Sequence, residues 1–274
     1  AAYGTSALEI GLVAAAFPLA QLIGVPVMGA LSDRFGRKPL LLISQITTCL
    51  SFVLLGLANS LFLVILSRVI DGLFGANLAT AQAALSDVTT EENRSAGLGL
   101  TGAAFGLGFI FGPITALVGL AISDSLVVPA MTAAVYSFVS ILLTLFVFKE
   151  TLPPEKRGQR VSLVTPLVVL RLLRNPNVNL LLVLMFAQQL IFFGFESLLG
   201  LFTLSRLGIL GEGNTLIFLV VGIVLVVVQV RFIGKWSKRF GDHWLVRAAL
   251  GLLAGGLIMA ALTPQQTQPF YVPE

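Results

Sequence analysis

Residues 29–38 read Gly-Ala-Leu-Ser-Asp-Arg-Phe-Gly-Arg-Lys, and they place four charges and two glycines between two long apolar runs. A weaker copy of this stretch occurs at residues 234–241. The residues repeated at identical spacing are Gly29, Ser32, Arg34, Phe35 and Gly36 in the first copy and Gly234, Ser237, Arg239, Phe240 and Gly241 in the second. The pattern indicates a polar hinge between two membrane helices, and its recurrence indicates an internally repeated fold.

The composition is that of a membrane protein. Hydrophobic residues make up 57% of the chain and charged residues 11%, whereas about a quarter of the residues of a soluble domain are charged. A helix needs about 20 residues to cross a bilayer, and eight apolar stretches are long enough. They cover residues 9–31, 39–58, 61–85, 96–122, 126–148, 177–204, 215–232 and 244–262. Runs of this length exceed membrane β-strands, so the sequence predicts an all-α membrane protein with eight spans.

The distribution of cations predicts the orientation. Of the 17 lysines and arginines, 15 lie in or beside the alternate gaps after the first, third, fifth and seventh spans. The other gaps contain only Arg206, and Arg68 lies inside a span. Because cytoplasmic loops carry an excess of lysine and arginine, we expect the cation-rich gaps, and therefore both hinge copies, to face the cytoplasm.

The repeat also predicts the domain organisation. It pairs the first span with the seventh, so that the chain corresponds to helices two to nine of a twelve-helix protein; the alternative is that eight spans are the natural whole. We expect an amino-terminal half over residues 1–152, a cytoplasmic linker over 153–176 and a partial carboxy-terminal half over 177–274. Within the linker, residues 161–174 suit a short interfacial helix, although an unstructured connection fits equally well.

Arg68, Asp71 and Glu196 lie well inside predicted spans, where charges are costly and usually face a cavity. In a continuous third helix, Asp71, Gly75 and Gln82 share one stripe, with Arg68 beside it. Arg68 and Asp71 would carry proton or substrate coupling, and Gln82 would line the cavity. The alternative is that Arg68 and Asp71, three residues apart, only neutralise each other.

The sixth span carries a similar polar stripe. Gln189 and Glu196 are seven residues apart and share a face, with Phe192 and Phe193 beside them. We expect Glu196 to join the coupling site and the other three side chains to line the cavity. Arg68 and Glu196 lie at similar depths, so the two spans could bring them together across a cleft. The alternative for Glu196 is that its side chain extends to the outer interface.

The fourth span is rich in glycine, with a proline at residue 113. Gly102, Gly106, Gly108 and Gly112 remove side chains along one face and permit close approach of another backbone, and Pro113 permits a bend in the helix. Ordinary tight helix packing explains the same pattern.

The sequence contains no motif for a metalloprotease, a phosphate-binding loop or a serine hydrolase. We therefore expect a protein that is not an enzyme and has no cofactor or metal. The net charge of +4 follows from the loop distribution, so nucleic acid is not an expected partner.

The first hinge fits Gly-x-Leu-x-Asp-Arg-x-Gly-Arg-Lys, which lies between the second and third transmembrane helices of major facilitator transporters, and the chain resembles this family. Arg68, Gly72 and Gly75 fit the fourth-helix motif of proton-coupled members. The fifth-helix motif of antiporters fits Gly99, Gly108, Gly112 and Pro113, but it continues with two glycines where this chain has Ala116 and Leu117. The greatest likeness, which includes Glu196 and the run from Asp87 to Arg94, is to bacterial drug:proton antiporters of the tetracycline-efflux type.

The resemblance implies a gating role for the hinge, whose residues would latch the cytoplasmic side. The gating set comprises Gly29, Asp33, Arg34, Gly36, Arg37, Lys38, Asp87 and Arg94. Within it, Asp33 would meet the amino terminus of helix eleven, and Arg37 would pair with Asp87. The second copy has Lys238 and Asp242 in place of Asp33 and Arg37, which implies that the first copy dominates gating.

These observations predict a secondary transporter with a major facilitator-type helical bundle in the inner cell membrane. It would act as a monomer and export a small amphipathic compound in exchange for protons by alternating access. Its partners would be the substrate, protons and the lipid bilayer. Uptake or facilitated transport of a polar metabolite such as a sugar is the alternative, and a non-transporting membrane sensor is a third reading.

Overall fold

The computed structural model describes residues 7–122, 127–158, 176–209 and 211–264, which form helices and connecting turns without any β-strand. The ten α-helices of these residues are α1 (Ala7–Phe35), α2 (Arg37–Gly56), α3 (Leu61–Phe74), α4 (Asn77–Val88), α5 (Arg94–Ile122), α6 (Val127–Phe146), α7 (Pro176–Phe202), α8 (Gly211–Val227), α9 (Gly234–Phe240) and α10 (Asp242–Leu262). Residues Thr203–Leu207 and Val228–Ile233 are π-helical, and Pro154–Lys156 form a 3₁₀ turn. The all-α prediction is confirmed.

Eight helical segments of the described residues are long and apolar enough to cross a membrane, as the sequence predicted. Two of them are composite. The third span consists of α3 and α4, and the seventh runs from α8 through the π-helical segment into α9. The predicted interfacial helix at residues 161–174 lies outside the described residues.

The third span differs from the continuous helix that the sequence predicted. Helix α3 ends at Phe74, Gly75 has φ −74° and ψ 49°, and α4 begins at Asn77. Close to this interruption, α1 and α3 approach each other very closely. A Cβ atom at Gly72 of α3 would overlap the carbonyl oxygen of Phe17 in α1, and a Cβ atom at Gly24 of α1 would overlap a carbonyl of α3. Glycine at both positions permits this approach.

Contacts divide the chain into two compact units. Unit 1 comprises residues 1–98 and 118–165, and in it α2 packs on α6 while α1 packs on α3. Its small core contains Met28, Leu40 and Ala76. Many large apolar side chains of the helices are exposed, as expected of a protein whose outer surface faces lipid.

Unit 2 comprises residues 99–117 of α5 together with residues 166–274. In this unit α5 and α8 approach closely, because Cβ atoms at Gly106 and Gly222 would each crowd the carbonyl oxygen of the other residue. Phe109 of α5 stacks on Phe218 of α8 with ring centroids 5.6 Å apart. The division into halves at residues 152 and 177 remains a prediction.

Candidate functional site

The first hinge is a single glycine between two helices. Gly36 has φ 106° and ψ 163°, a conformation that favours glycine, and its N–H donates to the Ser32 carbonyl at 3.0 Å. Helix α1 ends at Phe35 and α2 begins at Arg37. The chain therefore reverses within one residue, and the charges on both sides of Gly36 lie close together.

Arg37 is the centre of a charged cluster. Its Nη1 atom lies 2.6 Å from Asp33 Oδ1, and its Nε atom lies 2.9 Å from Asp87 Oδ2. Nη1 also donates to the Ser32 hydroxyl at 3.0 Å. The Arg37 side chain is 9% exposed, so its charge is largely removed from water. The guanidinium joins the end of α1, the start of α2 and the end of α4 by charge-assisted hydrogen bonds.

The contact between Arg37 and Asp87 is the one that the family resemblance implied. The expected partner of Asp33 was the amino terminus of helix eleven, but in the structure Asp33 also pairs with Arg37. The side chains of the other charged residues of the gating set have no described contact with this cluster. Arg34 lies 5.3 Å from the ring centroid of Phe35, Lys38 Nζ donates to the Leu145 carbonyl at 2.9 Å, and Arg94 begins α5.

Glu150, which sequence reasoning missed, completes the hinge from the segment after α6. Its carboxylate accepts from the backbone N–H groups of Arg37 at 2.9 Å, Lys38 at 3.2 Å and Leu152 at 3.0 Å. It also lies directly against Gly36, where a Cβ atom would overlap Oε2. Glu150 therefore caps α2, whose own N-cap residue has no side chain to do so.

The environment of Glu150 stabilises its charged form. Burial by itself raises the pKa of this carboxyl, but the three backbone N–H groups and the positive charge of Arg157, 3.9 Å away, lower it below its ordinary value overall. The sequence contained a signal for this contact, because the N-cap residue of α2 is glycine, which has no side chain to cap the helix. Only the fold shows which acceptor satisfies the free N–H groups.

A second polar cluster lies inside the helices of unit 1, around the interruption between α3 and α4. Thr48 of α2 donates to Asp71 Oδ1 at 2.8 Å, and the amide of Asn77 lies 3.5 Å from the Thr48 hydroxyl. Ser44 donates to the Phe74 carbonyl at 2.5 Å and Gln21 to the Gly75 carbonyl at 3.2 Å. Side chains of α1 and α2 thus replace the backbone hydrogen bonds that the interrupted helix lacks.

Asp71 and Arg68 form a loose pair in this cluster. Asp71 is 5% exposed, and its Oδ2 atom is 4.0 Å from Arg68 Nη2, which is too long for a hydrogen bond. Arg68 lies 5.5 Å from the ring centroid of Phe52. Its Nε and Nη2 atoms are buried and have no hydrogen-bond partner among the described residues. The guanidinium therefore retains donors that can bind an oxygen of another group.

The predicted stripe of Asp71, Gly75 and Gln82 is interrupted at Gly75. The prediction assumed a continuous helix, but the interruption at Gly75 separates Asp71 on α3 from Gln82 on α4. Asp71 is buried, whereas Gln82 is exposed. The polar partners of Asp71 are instead Thr48 of α2 and, at a longer distance, Arg68 of its own helix.

In unit 2, Glu196 lies half-buried on α7, and Gln189 is exposed on the same helix. Phe192 and Phe193 pack edge to face with centroids 5.6 Å apart. Glu196 and Arg68 belong to different units, so the expected meeting of these two side chains remains a prediction.

The glycines of α5 divide into two groups. A Cβ atom at Gly99 would contact Ile233 at 3.0 Å, and one at Gly102 would overlap the Gln229 side chain. A Cβ atom at Gly108 or at Gly112 would have no described neighbour within 4 Å. Gly99 of the antiporter motif therefore lies in the tight contact with the seventh span, and so do Gly102 and Gly106, for which close backbone approach was predicted.

The two clusters suit different tasks. The hinge cluster is a set of paired charges that can hold or release helix ends, and the inner cluster is a buried acid beside an incompletely paired guanidinium. No group of three or more histidine, cysteine or acidic side chains that could bind a metal occurs in the described part of the chain.

Comparison with known proteins identifies relatives of the chain. A family model described as the Major Facilitator Superfamily matches residues 1–272. The chain is 30% identical to the class C tetracycline resistance protein of Escherichia coli over 265 residues, which is 96% of this chain and 66% of that protein. It is 27% identical to multidrug resistance protein 2 of Bacillus subtilis over 257 residues, or 92% of this chain and 63% of that protein.

The fold has a solved counterpart. The crystal structure of the human organic anion transporter MFSD10 matches 93% of this chain and 68% of that chain, with a TM-score of 0.71 and 24% sequence identity. This likeness shows the fold. The chain spans about two thirds of the length of the curated relatives, at 66% and 63% of the two bacterial proteins.

Proposed function

The chain belongs to the major facilitator superfamily, and we propose that it exports a small amphipathic compound across the inner cell membrane in exchange for protons. It would work by alternating access and perform no covalent chemistry on its substrate. Its relatives include proteins named for tetracycline resistance and multidrug resistance. Those names support export and an amphipathic substrate for this chain.

One observation carries the proposal: a buried carboxylate lies beside an incompletely paired guanidinium inside the membrane spans. Asp71 is 5% exposed, and Arg68 is 4.0 Å away with two nitrogen atoms unpartnered among the described residues. A buried ion pair contributes little net stability, so a loose one is poorly explained as a structural support. Charges inside membrane spans usually mark ion or substrate pathways.

The proton step follows from this geometry. When a proton binds an Asp71 oxygen, an O–H bond forms and the negative charge that attracts Arg68 is lost. The Arg68 charge is then no longer balanced and repels a cationic substrate, so that proton binding favours substrate release, as an exchange requires. When the proton leaves, Asp71 regains its charge, balances Arg68 again and allows the next substrate molecule to bind. Glu196 is the second candidate for a proton carrier in this proposal.

The hinge cluster would supply the gate. Asp33, Arg37 and Asp87 connect three helix ends, and a change of access requires at least one of these contacts to break and re-form. The distribution of lysine and arginine among the loops assigns these contacts to the cytoplasmic side of the membrane. Opening would expose partly buried charges to water, which offsets the loss of the ion pairs and keeps the two states close in free energy.

The experiment uses the full-length protein in membrane vesicles with an imposed pH gradient and a fluorescent amphipathic cation as substrate. Asp71→Asn should reduce gradient-driven accumulation at least tenfold and make substrate binding independent of pH, and Arg68→Lys should shift the pH dependence. Glu92→Gln is the matched control, since Glu92 lies in an exposed turn, and it should transport normally. Full accumulation by Asp71→Asn would contradict the role of Asp71, and flux independent of the pH gradient in the unchanged protein would favour facilitated transport.

A further inference from the structure

A groove in unit 2 lies apart from both clusters described above. Its volume is about 400 Å³, within the range of about 300 to 1,000 Å³ that small-molecule sites occupy. It lies between the last turns of α7, the π-helical turn that follows and the last turns of α10. The lining residues are Phe195, Leu198, Phe202, Ser205, Arg206, Ala260 and Ala261.

The π-helical turn at one end of the groove is firmly anchored. Thr203 is 1% exposed, and its hydroxyl group lies 3.0 Å from the carbonyls of Leu199 and Gly200 and 2.8 Å from the amide oxygen of Asn214. Gly208 closes the turn with φ 66°. A π-helical turn changes the direction of the side chains that follow it and is frequent at functional sites. Here it holds Ser205 and Arg206 at the groove.

The groove is apolar along its length and cationic at one end. Phe195, Leu198 and Phe202 form one wall, and the small side chains of Ala260 and Ala261 leave space opposite them. From residue 195 to residue 206 the chain rises about 16 Å at 1.5 Å per residue. Arg206 is the only lysine or arginine in the gaps that the sequence assigns to the extracytoplasmic side. The groove thus ends at the level where α7 and α10 reach the membrane surface.

We propose that this groove binds an anionic phospholipid of the extracytoplasmic leaflet. The phosphodiester group accepts hydrogen bonds from the Arg206 guanidinium and the Ser205 hydroxyl, and an acyl chain lies along Phe202, Leu198 and Phe195. Arginine suits this role because its planar donors match the oxygens of a phosphate group. The inference is independent of proton coupling and of the transported compound.

The test measures lipid retention by the full-length protein purified in a neutral detergent, using native mass spectrometry with phosphatidylglycerol and phosphatidylcholine. The unchanged protein should retain phosphatidylglycerol in preference to phosphatidylcholine. Arg206→Gln should lower that retention about tenfold, the loss expected for a hydrogen bond to a charged group. Arg206→Lys should restore part of it. Arg231→Gln is the control, because Arg231 is an exposed arginine of the other π-helical segment, and it should change little.

A second variant distinguishes binding in the groove from electrostatic attraction of the lipid to the charge of Arg206 alone. Ala260→Phe fills the apolar part while leaving Arg206 in place, and it should lower retention of phosphatidylglycerol although the charge is unchanged. Ala261→Val, a smaller change, should lower it less. Equal retention by Arg206→Gln and Arg231→Gln, or unchanged retention by both alanine variants, would overturn the proposal. Displacement of phosphatidylglycerol by the transported compound would assign the groove to the substrate and would likewise overturn it.

Discussion

The two copies of the hinge have the same backbone and different charges. Gly36 has φ 106° and ψ 163°, and Gly241 has φ 79° and ψ 154°. Each glycine follows the last residue of one helix and precedes the first residue of the next. An arginine lies over a phenylalanine ring in both copies, at 5.3 Å for Arg34 and 5.2 Å for Arg239. The repeat therefore preserves the turn and its local cation–π contact.

The charged contacts of the first copy have no described counterpart in the second. Arg37 joins two carboxylates, and Glu150 caps α2. At the second copy, Asp242 accepts a hydrogen bond from the Ser237 hydroxyl at 2.5 Å, and the N-cap residue of α10 has no side-chain hydrogen bond. Glycine and spacing therefore specify the turn, whereas the charged cluster is added by particular residues. We accordingly assign the proposed gate to the first copy.

The largest expected difference between the copies concerns Arg37 and its positional equivalent Asp242. Arg37→Ala leaves Asp33 and Asp87 without their shared cation, and breaking a largely buried pair costs about 3 kcal/mol. We expect a clear fall in the unfolding temperature of the full-length protein and a loss of transport. Asp242→Ala, at an exposed position, should change either measurement little.

A charge reversal tests whether the Arg37 contact is direct. The double variant Arg37→Asp with Asp87→Arg should recover part of the stability that each single variant loses, because the pair is restored with opposite polarity. Recovery will be incomplete, since Asp33 then faces an acid at position 37. Additive losses in the double variant would contradict the contact between residues 37 and 87.

Alanine substitutions at the two glycines should differ by a smaller amount. Both residues have positive φ, so alanine strains the backbone by about 1 to 2 kcal/mol at either position. At Gly36 the new Cβ atom would also overlap the Glu150 carboxylate, whereas Gly241 has no described neighbour within 4 Å of that position. Gly36→Ala should therefore destabilise the protein more than Gly241→Ala, as measured by thermal unfolding. Equal effects would show that Glu150 moves aside at no cost.

Glu150 gives the stability of the first copy a dependence on pH. Its backbone donors and Arg157 hold the pKa of Glu150 below its ordinary value in the folded protein. The resulting stability is present above the unfolded pKa and is lost as the pH falls through the folded pKa. Glu150→Gln should cost about 1 kcal/mol at neutral pH and should flatten the decline in unfolding temperature at acid pH. Glu92→Gln, in an exposed turn, should retain the full decline.

The difference between the two hinge copies also shows which features of the fold and of the site the sequence could predict. The spans and both hinges were predictable because apolar length, glycine and clustered charge are local signals. Glu150 was missed because its role depends on where the end of α6 lies relative to α2. The interruption at Gly75 was missed because a single glycine is tolerated within a helix. Its carbonyls are satisfied by Ser44 and Gln21 from neighbouring helices, and such partners cannot be read from the local sequence.

The smallest expected effect comes from giving the second copy the charges of the first. Lys238→Asp with Asp242→Arg recreates the acid and arginine found at positions 33 and 37, four residues apart. Such a pair on exposed helix ends stabilises by only about 0.3 to 0.5 kcal/mol. The added arginine has no described equivalent of Asp87 or Glu150 to bind, and the substitution also removes the hydrogen bond between Ser237 and Asp242. Thermal unfolding should therefore change by about a degree or less, and transport should remain normal. The contrary result would be a rise in unfolding temperature as large as the fall caused by Arg37→Ala. It would mean that a hinge is stabilised by the local pair and not by its contacts with α4 and the segment after α6. The assignment of the gate to the first copy would then fail.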